Sequence, residues 1–248
     1  MNESLDDIVG EALLDKHERW LKERSGLATA SQMPNLSKSG RNKEKEPWGK
    51  VAITELYGIK YERRTGLTLD NVECKAFEFG HEHEPAGLEA MRKKYRFAAV
   101  KSCSEDYDEI IFKKPFEGCG DSPDANIYNS KGKVVGVAEV KCNISQTKFE
   151  KLRDITVIDN KHEYYWQFIM HLIGTPEAKF LIWANYDAYN DQIHCVRMWR
   201  KDVEADITWL TQRIKDGIHY IDLCLKKPKK YKLSDINEYY AKKLDITK

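Results

Sequence analysis

The sequence predicts an α/β fold: a single domain with a mixed β-sheet flanked by helices. Three observations carry this. The N-terminal third repeats apolar residues at helical spacing. The middle switches to short runs of small and β-branched residues around a polar turn. The last third gives helix, two strands and a long helix.

Residues 4–23 open with a capping-box-like pair, Ser4 and Asp7. Leu5, Ile8, Val9, Ala12, Leu13, Trp20 and Leu21 then recur at helical spacing, and Gly26 ends the helix. The polar, lysine-rich stretch 35–47 reads as a loop. A second helix spans Trp48 to Tyr57 behind Pro47, and a third spans 73–95, interrupted by Pro85. Strands are expected at 97–103, 108–112, 124–128 and 134–141. Helical pattern returns at 145–153 and 161–174. Two strands, Lys179 to Tyr186 and Gln192 to Arg200, flank the turn Asp187 to Asp191. In the last helix, 203–225, Val203, Ile207, Leu210, Ile214, Ile218, Ile221 and Leu225 repeat at three and four. We read 1–225 as one domain, with N-terminal helices over 1–95 and the sheet region over 96–225. Residues 226–248, with eight lysines and three acids, read as a basic tail extending from it.

Hydrophobic residues make up 41% and charged residues 33%, which suits a packed core under a well-solvated surface. No apolar run reaches membrane-spanning length, and the acidic N-terminus resembles neither a secretory signal nor a transit peptide. Six scattered cysteines without a C-x-x-C pair point to reduced thiols in the cytoplasm, with no structural zinc site and no iron–sulfur cluster. The net charge of +1 hides basic clusters at 38–50 and 92–96, so a cationic groove is compatible with near-neutrality.

The chemistry gathers at Ser122-Pro123-Asp124 and Glu139-Val140-Lys141, separated by fourteen residues that contain the turn signal Asn129-Ser-Lys-Gly-Lys133. A hairpin would bring Asp124 beside Glu139. Strand alternation puts Glu139 and Lys141 on one face and Val140 on the other. Two carboxylates that hold a hard cation, with a lysine that orients or deprotonates water, are what metal-assisted phosphodiester cleavage needs. The pattern reads as the PD-(D/E)xK nuclease signature. His81 and His83 flank Glu82, but positions i and i+2 diverge on a helix, so they read as surface or polar packing residues. Trp166, Trp183 and Trp199 read as core. Trp48, beside the lysine-rich loop, is a candidate for stacking on DNA.

From residue 20 to 200 the chain resembles the YqaJ-type viral recombinases, the family of bacteriophage lambda exonuclease. Four stretches carry the resemblance: Trp20 through Arg24 to Thr29-Ala-Ser31; Phe79-Gly80 through Glu84; Ser122-Pro-Asp124 with Glu139-Val-Lys141; and Tyr164-Tyr-Trp-Gln167 through Trp183-Ala-Asn-Tyr-Asp187.

The resemblance implies a restriction-endonuclease-like core and an Mg²⁺-dependent exonuclease, with Mn²⁺ able to substitute. Such an enzyme degrades the 5′-ended strand of linear double-stranded DNA and leaves 3′ single strands for an annealing protein in phage-type recombination. It further implies a ring-shaped homotrimer and a phage or prophage protein working in the bacterial cytoplasm. By resemblance, Asp124 and Glu139 ligate metal, with the Val140 carbonyl as a further ligand. Lys141 activates or positions water, Glu84 contacts metal or water, and Gln167 supports the site. Arg24, Thr29 and Ser31 meet the 5′-phosphate. Three departures stand out. Ala125 replaces the usual glycine after S-P-D. Pro85 follows Glu84 and leaves its aim open. Ile169 stands where a second glutamine is common. A restriction-type endonuclease of the same fold and a non-catalytic DNA-end binder are the competing readings.

Overall fold

The structure is a computed structural model that describes residues 20–69, 75–95, 97, 99–102 and 112–246. Its centre is a five-stranded sheet in the order β2 (Ala99–Ser102), β4 (Ala125–Tyr128), β5 (Val134–Cys142), β6 (Phe180–Asp187), β7 (Gln192–Trp199). β5 and β6 run parallel and the other neighbours antiparallel, so the sheet is mixed. A parallel connection cannot be a tight turn. Here α4 (Gln146–Arg153) and α5 (Tyr165–Gly174) fill it. A separate two-stranded parallel ladder joins β1 (Ala28–Thr29) to β3 (Cys119–Gly120).

The sheet is covered on both faces. Val137, Leu181, Trp183, Val196 and Met198 pack with α5, with α2 (Lys50–Thr65) and with α6 (Glu204–Lys226). The alternate residues Ala138, Val140, Ile182, Ala184 and Tyr186 pack against Leu88 and Met91 of α3 (Lys75–Tyr95). β6 is buried along its whole length, the expectation for a central strand with a parallel neighbour. The β4–β5 turn closes as its sequence predicts. The Asn129 side chain accepts from the Lys131 and Lys133 amides, and Gly132 takes the left-handed φ of 69° that the turn demands.

Several boundaries differ from the sequence reading, each for a tertiary reason. α2 runs through Gly58 to Thr65 and stops at Gly66, φ 72°. Its second half is held by burial of Ile59, while Tyr57 and Tyr61 face outward under Lys60 and Arg64. α3 is not interrupted at Pro85 but continues as one helix. Packing holds it: a Cβ on Gly87 would lie 2.6 Å from Val140 Cγ1, so helix and strand approach as closely as backbone allows. A short helix, α1 (Met33–Leu36), reaches into the start of the stretch 35–47 read as a loop. The expected helix over 161–174 starts only at Tyr165. Of the strand expected at 97–103, Ala99–Ser102 is strand and Phe97 is not, while residues 98 and 103 lie outside the described residues. Of the expected 108–112 strand, all but Phe112 lies outside the described residues, as does most of the first helix, of which residues 20–24 are helical.

The basic tail is not extended. It folds back as a 3₁₀ turn, Leu233–Asp235, and α7 (Ile236–Ile246). Leu233, Ile236 and Tyr240 enter the main core at the spacing of three and four that makes an amphipathic helix. Asn237 pairs with both backbone groups of Trp48 at 2.9 Å. Trp48 is therefore buried at 4% exposure, with the Arg213 guanidinium 4.0 Å over its ring, and is not a DNA-stacking residue. Trp183 is core as expected, whereas Trp199 is 40% exposed at the end of β7.

Candidate active site

The β4–β5 register pairs Ala125 with Ala138, which brings Asp124 to the neighbourhood of Glu139 and Val140. Asp124 Oδ2 accepts from the Val140 amide at 2.6 Å. Glu139 and Lys141 share a strand face, and Lys141 Nζ donates to Glu139 Oε1 at 2.6 Å. From the facing helix α5, Gln167 Nε2 donates to the same Oε1, also at 2.6 Å. Ile169 departs from the family pattern two residues on, yet the Gln167 side chain sits against the central carboxylate.

One turn further along α5 lies His171, which the sequence reading did not single out. Its Nδ1 is 2.7 Å from Asp121 Oδ1, and its Nε2 is 3.0 Å from Glu139 Oε2. The second contact is an ion-pair approach, not an aligned hydrogen bond, so Glu139 Oε2 is buried without a hydrogen-bond partner. All three side chains are essentially inaccessible. A signal existed: His171 stands four residues after Gln167 and so on the same helix face, while Ile169, between them, points into the core.

The charges are in tension. Burial pushes the Asp124 carboxyl well above its ordinary range, and the carboxylates of Glu139 and Glu84 add to this, opposed by Lys141 and the Val140 amide. Glu84, on α3, is raised to about 7 by burial and by Glu139, with Lys141 opposing. Burial would raise Glu139 too, but Lys141 and His171 outweigh it and bring it to about 2. Burial disfavours the Lys141 ammonium, yet Glu139 and Asp124 hold it above its usual range. Two carboxylates resist ionisation beside a third that is fully ionised. A bound cation relieves that conflict directly.

The donor set fits a hard divalent ion. Among the described residues no three His, Cys, Asp or Glu side chains are grouped so that they could hold a metal ion by themselves. Mg²⁺ does not ask for such a group, because it binds through one or two carboxylates and keeps waters and substrate phosphate oxygens. Asp124, Glu139 with its unpartnered Oε2, and Glu84 are the carboxylates that would meet such an ion.

A second polar cluster lies at the N-terminal end of the described chain. Arg24 Nη2 donates to Thr29 Oγ1 and Ser31 Oγ, both at 3.3 Å. Its guanidinium lies 4.2 Å over the Trp20 ring. Burial lowers its pKa, with Glu62 opposing. The β1–β3 ladder pairs Thr29 with Gly120, the residue before Asp121 on the way into β4, so this cluster is tied to the segment that delivers Asp124. Near Lys141, Tyr164 lies between two lysines. Lys141 Nζ is 5.1 Å from its ring centre, and Lys148 Nζ donates to its hydroxyl at 2.9 Å. His83 packs edge-on against Phe79.

The profile of the YqaJ-like viral recombinase domain matches residues 19–177, from the Arg24 cluster through α5. The chain belongs to that family. The family's span holds every residue of both clusters described above. Solved structures share the fold. The alkaline exonuclease LHK-Exo from Laribacter hongkongensis superposes with a TM-score of 0.65 at 19% identity, over 93% of this chain and 100% of that one. Its complex with dAMP gives 0.60 at 21% identity, over 86% and 98%. A phage-related exonuclease from Haemophilus somnus 129PT gives 0.58 at 13% identity, over 81% and 96%. No curated protein sequence matches the chain. Among the described residues no helix is long and apolar enough to cross a membrane.

Proposed function

We propose that this protein is an Mg²⁺-dependent exonuclease that degrades the 5′-ended strand of linear double-stranded DNA, 5′→3′. The observation that carries the proposal is the gathering of Asp124, Glu139, Lys141 and Gln167 at one end of β5, with Glu84 electrostatically coupled to them, in a chain of this recombinase family.

The reaction breaks a P–O3′ bond. Water attacks phosphorus, the 3′-oxygen leaves and gains a proton, and a 5′-mononucleotide is released. Mg²⁺, when bound by Asp124, Glu139, Glu84 and the Val140 carbonyl, would lower the pKa of its water and offset charge on the phosphate. Lys141, held as an ammonium, positions the water and stabilises charge at phosphorus. Glu84 would contact the metal or its water, and a bound cation would draw its raised carboxyl back to the ionised form. Gln167 fixes Glu139 Oε1 through its 2.6 Å hydrogen bond. Arg24, with Thr29 and Ser31, grips the terminal 5′-phosphate, which sets the polarity. The 3′ single strands left behind suit a single-strand annealing protein in the bacterial cytoplasm. A homotrimeric ring would keep a near-neutral protein on its track, and light scattering should then report about three chains per particle.

The test is digestion of 5′-phosphorylated linear duplex with Mg²⁺, each strand end-labelled separately. Loss of the 5′-labelled nucleotide first, with the 3′-labelled partner intact, is the expected result. Cutting of a covalently closed plasmid would favour an endonuclease. Duplex-end binding without any hydrolysis would favour an end binder.

A further inference from the structure

We infer that the buried Asp121–His171 pair is a positioning clamp that sets the metal affinity of Glu139. The inference rests on the metal-site reading above and extends it to two residues that reading does not use. Glu139 Oε1 is already committed to Lys141 and Gln167, so Oε2 is the oxygen left to meet a cation. His171 Nε2 stands 3.0 Å from that same oxygen. On its far side the ring is fixed by Asp121, at 2.7 Å. The pair is built in. Asp121 lies 1% exposed and His171 1% exposed. A Cβ on Gly174, at the end of α5, would fall 2.1 Å from Asp121 Oδ2, so this helix has a glycine where the carboxylate needs the space. The imidazole, packed against Oε2 at 3.0 Å, thus limits how Glu139 can turn, and Oε2 is the carboxylate oxygen that no hydrogen bond occupies. Polar groups that orient a metal-binding side chain in this way typically change metal affinity by about 10–100-fold when removed.

The two ring nitrogens can be mimicked separately. Glutamine at 171 places an amide N–H near the Nε2 position and can reach Glu139. Asparagine places one near the Nδ1 position and can reach Asp121 only. The measurement is Mn²⁺ titration of metal-free full-length protein followed by electron paramagnetic resonance, with thermal melting of each variant alongside. Wild type should bind Mn²⁺. His171→Asn should melt below wild type yet remain folded, and should bind Mn²⁺ about 10–100-fold more weakly. His171→Gln should recover most of the affinity. If His171→Ala does not fold, these two variants decide alone. Wild-type Mn²⁺ affinity in His171→Asn would overturn the clamp and leave the metal site standing. Glutamine binding no better than asparagine would overturn it equally. Wild type that binds no Mn²⁺ would bring down the metal-site reading, and the clamp with it.

Discussion

Replacing Lys141 by alanine removes an ammonium whose Nζ lies 2.6 Å from Glu139 Oε1 and whose side chain keeps 25% of its surface exposed. That partial exposure calls for a near-surface effective dielectric of about 20, at which a unit charge ~4 Å from the developing phosphorane charge contributes ~4 kcal/mol. Lys141→Ala should therefore slow hydrolysis by roughly a thousandfold. The fold should survive. Glu139 Oε1 keeps Gln167, so the loss is one charge-assisted hydrogen bond, about 1.5–3 kcal/mol. For a chain of this size that lowers the melting temperature by roughly 3–12 °C. The assays are initial rate on linear duplex under saturating Mg²⁺, thermal melting, and duplex affinity without metal, which should stay near wild type. A folded Lys141→Ala protein that cleaves within about tenfold of wild type would remove this lysine from the chemistry.

Four further outcomes follow from particular contacts. Gly87→Ala drives a methyl against Val140 Cγ1, lifts α3 and Glu84 from the sheet, and should cost about 1–3 kcal/mol with reduced cleavage; adding Val140→Ala should restore part of both in a double-mutant cycle. Deleting the chain beyond Lys232 exposes the sites of Leu233 and Ile236 and should cost roughly 4 kcal/mol or more, read as a melting-temperature drop of about 10 °C. In metal-free protein, the folded-state pKa of Glu84, raised from 4.5 to about 7, contributes stability fully present below the lower value and lost as pH rises through the upper one; melting across that window should show the decline, and Glu84→Gln should flatten it. Wild type should prefer 5′-phosphorylated over 5′-hydroxyl ends by about one to two decades in initial rate, and Arg24→Ala should erase most of that preference.

What the sequence disclosed was local. Asn129 to Lys133 forms its turn from its own side chains, and strand alternation alone puts Glu139 and Lys141 on one face. What it concealed depends on partners far away in the chain. Pro85 reads as a break until Gly87 is seen seated on Val140. Trp48 reads as a free aromatic beside lysines until Asn237 and Arg213 enclose it. The lysines of the last segment mask an apolar stripe, Leu233, Ile236 and Tyr240, whose burial needs α2 and α6 already in place. His171 shares a helix face with Gln167, but its contacts were not legible. Its partners come from two other segments, Asp121 before β4 and Glu139 within β5, and no spacing rule links three positions so placed.

The bond between the Trp48 backbone and the Asn237 side chain spans 189 residues of sequence. A ribosome adding about 5–20 residues per second emits the tryptophan roughly 10–40 s before the asparagine. Throughout that interval α2 lacks the lid that closes its core, and the nascent chain carries an incompletely covered indole. Closure of this core thus waits until Asn237 has been made. A message cut short before this segment would yield a protein with the full acid–lysine set but an unfinished core, open to local unfolding.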